Sequence, residues 1–200
     1  MENFTLDQKK ERTLVLIKPD GVKRALIGEI IRRIEMRGLK VVGMEMVWAR
    51  PEQIDEHYPH DEGWIKGMGE KTLASYKDYG LDPIEEMGTD DPLKIGQECR
   101  NWLVNFMSSG PIVKIAVEGL HAIEMVRKIV GKTIPASADM GTIRGDFSVD
   151  SPTLANKDKR AVRNLIHASG NKEEAEHELS LWFANDSLFD YERSDESTIF

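Results

Sequence analysis

Residues Thr13-Leu14-Val15-Leu16-Ile17 form a short continuous apolar run, the pattern of a strand covered on both faces. Lys18-Pro19-Asp20-Gly21 stops it as a turn. Leu26, Ile27, Ile30, Ile31 and Ile34 then recur at helical spacing opposite Arg32, Arg33, Glu35 and Arg37, and Gly38 closes the helix. Val42, Met44, Met46 and Trp48 alternate with less apolar neighbours, which predicts a strand over 40–49 with both methionines in the core. Pro51 opens a short helix through Gln53 and His57. Segment 101–107 reads as a helix, Ser109-Gly110-Pro111 breaks it, and 112–117 is a third strand. A helix over 120–130, a long loop over 131–145, a fourth strand at 165–168 and a helix at 172–182 complete the pattern.

Strands and short helices therefore alternate. A doubly wound parallel sheet would want a glycine-rich first turn, and Lys-Pro-Asp-Gly lacks that pattern. The expected class is α+β: a ferredoxin-like sandwich, one four-stranded antiparallel sheet with helices on one face. One domain is expected over 1–200, with insertions at 61–98 and 149–161 and an acidic tail at 191–200. The first insertion is irregular, rich in glycine and acids, with one helix expected near 71–77.

With 40% hydrophobic residues the chain can bury one sizeable core. Cys99 is the single cysteine, so a disulfide framework and a thiolate metal cluster are ruled out, and a reducing cytoplasm is the expected setting. No apolar run approaches the length of a membrane span. The net charge is −8, and 170–200 carries −7 of it. Such a tail argues against nucleic-acid binding, which needs cations facing phosphates. An RNA-binding domain of this class would also want aromatics on its central strand, where 14–17 has none.

Gly131-Lys132-Thr133 looks like the end of a P-loop, but the motif needs a glycine where Val126 stands. The chemistry lies elsewhere. Arg163-Asn164-Leu165-Ile166-His167-Ala168-Ser169-Gly170 brings one histidine to the end of a short strand, with small residues after it. Ser169, Asn171 and the acids through Glu178 then read as a helix start. A carboxylate on that helix can hold one imidazole nitrogen and leave the other free to attack. Lys18, Arg127, Thr133, Arg144 and Asn164 each stand at an element boundary. Singly they also suit solvated turns, a helix C-terminal charge or an ion pair. As a set they match phosphoryl transfer, which needs cations on spreading negative charge and an in-line nucleophile. His57 and His60, near Asp55, Glu56, Asp61 and Glu62, form a loose acidic loop for which a metal role is the weaker reading.

These segments resemble the nucleoside diphosphate kinase family. The matches are 11–13 through 17–22, Gly28-Glu29-Ile30, Glu56-His57-Tyr58, Ser109-Gly110-Pro111, 141–147, 163–167 and Leu181-Trp182-Phe183, in the family's order. The resemblance implies ping-pong transfer from a nucleoside triphosphate to a diphosphate through phosphorylated His167, positioned by Glu178 with help from Ser169. It implies that Lys18 and Asn164 meet the sugar hydroxyls, and that Lys18 also lies near the transferred phosphate. Arg127 and Thr133 would hold the outer phosphates, Arg144 the group in flight, and Tyr58 would meet that phosphate. Mg2+ would arrive on the nucleotide, with no protein metal site, and the chain would form a homo-oligomer, tetramer or hexamer. The alternative is a non-catalytic nucleotide-binding or scaffold protein on the same fold.

Several positions depart from the family pattern. Ala168 replaces a glycine, and Gly170 replaces an acid at the helix start. The base-stacking aromatic is missing, with Cys99 at its place by ungapped counting. Trp64, Tyr76, Tyr79 and Trp102 are the candidates to supply the face instead.

Overall fold

The structure, a computed structural model, describes residues 10–199; the start of the polar N-terminus and Phe200 of the acidic tail lie outside that range. Four strands, β1 (Glu11–Ile17), β2 (Lys40–Val47), β3 (Ile112–Gly119) and β4 (Ile166–Ala168), form one antiparallel sheet in the order β2-β3-β1-β4. This is the ferredoxin-like order, with β1 and β3 central. Val15 and Ile17 point to one core with Val113, Ile115 and Val117, whereas Leu14 and Leu16 point to the other with Ala116.

Helices cover both sheet faces, which corrects the expectation of one. After β1 come α1 (Pro19–Lys23) and α2 (Ile27–Met36), and α3 (Pro51–His57) follows β2. Segment 61–98 opens into α4 (Glu62–Asp78), α5 (Pro83–Met87) and the first turns of α6 (Pro92–Met107). Beyond β3 lie α7 (Ala122–Val130), α8 (Ile143–Phe147) and α9 (Pro152–Lys157), then α10 (Lys172–Trp182) after β4 and α11 (Glu196–Ile199) near the end. Ile30, Ile34, Val126 and Val130 place α2 and α7 against one face; Ile54, Met107 and Trp182 place α3, α6 and α10 against the other. Among the described residues no helix is long and apolar enough to cross a membrane.

Two readings change at β2. It is an edge strand, so Met44 and Met46 are 54% and 55% exposed, and Trp48 66%. The tail covers only the first half of that edge: Phe189 N–H donates to Val42 C=O (2.8 Å) and Tyr191 Oη to Val41 C=O (2.9 Å). Arg193 completes the strap by donating to Leu39 C=O (2.7 Å).

Where one helix was expected in 61–98, two long ones cross. Gly69 and Gly96 make the crossing possible: a Cβ on Gly69 would lie 1.8 Å from Pro92 O, and one on Gly96 1.9 Å from Ile65 O. Aspartates cap all three helices of this segment at Asp61, Asp82 and Asp91, each accepting from a backbone N–H two or three residues on. The 149–161 segment packs on the same pair, with Tyr76 Oη donating to Asn156 C=O (3.4 Å).

Candidate active site

The local fold around His167 begins with a strained turn. Ile166 N–H donates to Asn164 C=O (2.8 Å) across Leu165, whose φ is +69°, a γ-turn geometry that bulky residues rarely adopt. Three contacts hold it. Leu165 N–H donates to Asp20 Oδ2 (3.0 Å), Leu165 C=O accepts from Lys18 N–H (2.8 Å), and the Leu165 side chain is buried in the core. Gly21 allows the approach, since a Cβ there would meet Leu165 O at 2.8 Å. The supposed stop at 18–21 is thus the start of α1, and its Asp20 braces the histidine strand.

Asn164 is the hub next to that turn. Its Oδ1 accepts from Lys18 Nζ (2.8 Å), its Nδ2 donates to Thr133 C=O (2.9 Å), and its carbonyl also accepts from Arg144 Nε (3.2 Å). Arg144 further donates to Gly131 C=O (2.9 Å) and Ile166 C=O (2.6 Å). Its guanidinium is therefore held by three backbone carbonyls, and it makes no ion pair with an acid among the described residues.

His167 Nε2 lies 2.8 Å from Glu178 Oε1, and Glu178 Oε2 accepts from Ser169 Oγ (2.6 Å), which itself accepts from Leu14 N–H (3.2 Å). That chain ties the carboxylate to the central strand. Nδ1 is left without a protein partner among the described residues. Asn171 caps α10 by accepting from Glu174 N–H (2.8 Å), and the Glu174 carboxylate accepts from Gly170 N–H (2.8 Å). Glu174 therefore returns an acid to the helix start where Gly170 lacks one.

Lys18, Tyr58, Arg127, Thr133, Arg144, Asn164 and His167 all line one cleft of about 510 Å³. Ser169 and Glu178 sit buried behind the histidine. Burial, with Arg144 nearby, pushes Lys18 down to about 8. Burial, then the Lys18 and Arg144 charges, pushes His167 down to about 3, and burial raises Glu178. The nucleophile is thus neutral at physiological pH, with its proton on the nitrogen facing Glu178. Tyr58 also lines the cleft; burial raises its hydroxyl, which has no hydrogen-bond partner among the described residues.

Of the four aromatic candidates, Trp64 alone lines the cleft, beside Met68 and Leu103. Tyr76 is buried against the 149–161 segment, Tyr79 is 63% exposed, and Trp102 donates to Glu98 on its own helix. Cys99 faces Thr72 within the helix pair. The loose acidic loop also separates: His60 and Asp55 stay exposed over the buried Arg100, while His57 turns inward. His57 Nδ1 accepts from Trp182 Nε1 (3.3 Å), and its ring stands edge-on to His167 at 4.6 Å. Sequence spacing gave no cue to Asp20 or His57 in these places; both contacts join residues more than a hundred positions apart.

Comparisons with known proteins establish the family. The family model described as nucleoside diphosphate kinase matches residues 11–65 and 94–188, skipping the interior of the 61–98 segment. The chain belongs to the nucleoside diphosphate kinase family. It is 48% identical over 180 residues to a nucleoside diphosphate kinase of Pyrobaculum aerophilum, covering 90% of this chain and 98% of that one. A crystal structure of an NDP kinase from that organism superposes with a TM-score of 0.88 at 46% identity, covering 90% of this chain and all of the other. A nucleoside diphosphate kinase from Borrelia burgdorferi, a transition-state mimic with vanadate and ADP bound, superposes at 0.75 with 34% identity, covering 94% and 95% of the two chains.

A pH dependence of stability follows from the two buried imidazoles. Burial also lowers His57 to about 3, with the charge of His167 adding to the effect. From the ordinary value of 6.5 down to about 3 the unfolded chain binds more protons, so stability falls as pH falls. Urea midpoints at pH 7 and pH 5 should show a loss on the order of 2 kcal/mol per histidine. His57→Gln should remove one histidine's share; an undiminished loss in that variant contradicts the assignment.

Proposed function

We propose that this protein moves the terminal phosphoryl group of a nucleoside triphosphate to a nucleoside diphosphate, with His167 carrying it in between. One observation carries the reading: Glu178 holds Nε2 of a neutral imidazole while Nδ1 stands free on a ring lining a cationic cleft. The Nδ1 lone pair attacks the terminal phosphorus, the bond to the bridging oxygen breaks, and the diphosphate leaves. The phosphorylated ring is cationic with its proton on Nε2, so the Glu178 carboxylate stabilises the charge as it forms. A second diphosphate then takes the group by the reverse step.

Arg144, Arg127 and Lys18 supply the positive charge that the transferring group requires, and the unpartnered Tyr58 hydroxyl is a donor in reserve for it. Thr133 joins Arg127 at the outer phosphates, and Asn164 with Lys18 meets the sugar. Mg2+ would come bound to the phosphates and offset their charge; the cleft-lining side chains include no carboxylate to hold a metal separately. The protein's single cysteine, half-buried, suits a cytoplasmic setting.

Trp64 and Leu103 support a base site formed by α4 and α6. Stacking on an aromatic is worth about 1–3 kcal/mol per base and is tolerant of base identity. Trp64→Ala should therefore raise KM for every nucleotide by roughly tenfold with kcat little changed. An unchanged KM in steady-state kinetics removes Trp64 from the base site.

The open half of β2, with Met44, Met46 and Trp48 exposed, supports a homo-oligomer joined through that edge. Sedimentation should give a multiple of the 22.7 kDa chain; a monomer at micromolar concentration overturns this.

Triphosphate without acceptor should label each chain with one acid-labile phosphoryl group, discharged by a diphosphate and missing in His167→Ala. That variant should lose several orders of magnitude in turnover, the scale on which removing covalent nucleophiles acts. Nucleotide binding without labelling of the wild type would favour the scaffold alternative.

A further inference from the structure

His57 has no part in the phosphoryl relay, yet it shares the Glu178 carboxylate with His167. Its Nδ1 lies 3.8 Å from Glu178 Oε1, against 2.8 Å for Nε2 of His167, and the three ligand atoms lie within 4.8 Å of one another. In a tetrahedral zinc site, with metal–ligand bonds near 2.1 Å, neighbouring ligand atoms stand about 3.4 Å apart. The two distances to Oε1 straddle that value. Two imidazoles and a carboxylate are also a donor set zinc takes in sites with an open fourth position. The His57 Nδ1 lone pair is committed only to a long bond from Trp182, so little is lost in giving it to a metal.

We propose that His57, His167 and Glu178 form a binding site for a transition-metal dication of the zinc type, and that filling it silences the nucleophile. The inhibitory half rests on His167 being the phosphoryl carrier. The metal accepts lone pairs from Nδ1 of His57, Nε2 of His167 and Oε1 of Glu178, and sheds aquo ligands in exchange. Nε2 of His167 gives up its proton and Nδ1 takes one from solvent, so the neutral ring keeps a single proton. With its lone pair protonated, Nδ1 no longer attacks phosphorus. The converse also holds. Phosphorylation of Nδ1 leaves the Nε2 proton paired with Glu178, and a metal would have to displace it, so the phosphoenzyme binds the metal more weakly than the free enzyme.

Co2+ followed by Zn2+, titrated into metal-free full-length protein, tests this apart from turnover. One Co2+ per chain should give the intense visible absorption of four-coordinate cobalt, bleached by one Zn2+. His57→Gln should weaken binding roughly tenfold or more, and His60→Gln should leave it unchanged. Wild-type protein phosphorylated by triphosphate and then desalted should show less of that absorption at the same cobalt concentration, and one equivalent of Zn2+ should block labelling of the unphosphorylated form. The proposal fails if cobalt gives only the weak six-coordinate spectrum, if His57→Gln binds like wild type, or if the phosphoenzyme binds as well as the free enzyme. If wild-type protein never takes up phosphate, the kinase reading fails, while the cobalt spectrum and the His57→Gln comparison still decide the metal site.

Discussion

A buried guanidinium held by carbonyls alone is the constraint on which the rest of this molecule turns. Arg144 is 7% exposed and Lys18 5%, and Asp20, an acid whose charge acts on both, spends one carboxylate oxygen on the Leu165 amide. Burying cations without paired acids is costly, and burial pushes Arg144 down to about 10. A chain selected for stability alone would place a carboxylate between them. Instead the backbone bends to present three carbonyls, which satisfy the N–H groups without neutralising the charge. The positive potential is thereby kept for an anion from outside.

The strained turn at Leu165 follows from the same demand. Asn164 C=O and Ile166 C=O both have to face Arg144, while β4 has to resume pairing with β1 at Ile166. A reversal over one residue achieves both, at a cost on the order of 1–3 kcal/mol. Asp20 and the buried Leu165 side chain offset that cost, so α1, β4 and α8 are fixed relative to one another. His167 then stands one residue beyond the turn, where its ring position inherits the rigidity of the sheet.

Much of this was legible in the chain because apolar periodicity reports burial directly. The runs at 13–17 and 112–117 became the two central strands, and His167, Glu178, Lys18, Tyr58, Arg127, Thr133, Arg144 and Asn164 line or back one cleft. Legibility failed where tertiary placement decides. Met44 and Met46 have the alternation of core residues, but an edge strand has an outer half that nothing in the same chain covers. In 61–98 the apolar signal is diluted because Gly69, Thr72 and Gly96 hold buried positions at the crossing, between the buried Ile65, Tyr76 and Ile95. The helical stripe is therefore interrupted by small residues just where the two helices meet. His57 stood out in the chain only within a matching segment and a loose acidic loop; its place beside His167 was hidden, since its neighbours in space come from β4 and the end of α10.

The helix pair also places Cys99, the position where the family resemblance leads one to expect an aromatic. Its Sγ stands 3.4 Å from Thr72 Oγ1, between α4 and α6. Leu103, one turn further along α6, reaches the cleft in its place. Trp64 arrives from the first turn of α4, six residues after Tyr58, and the two rings lie at 25° to each other with centroids 6.3 Å apart. The crossing thus brings an aliphatic from α6 and an indole from α4 to the same stretch of the cleft. The 149–161 segment braces the far end of the same pair through Tyr76, so the angle at which α4 carries Trp64 is set at both ends. The α9 segment, eighty residues further on, does not line the cleft; it packs on α4 from behind, and so braces the helix whose first turn carries Trp64 to the cleft.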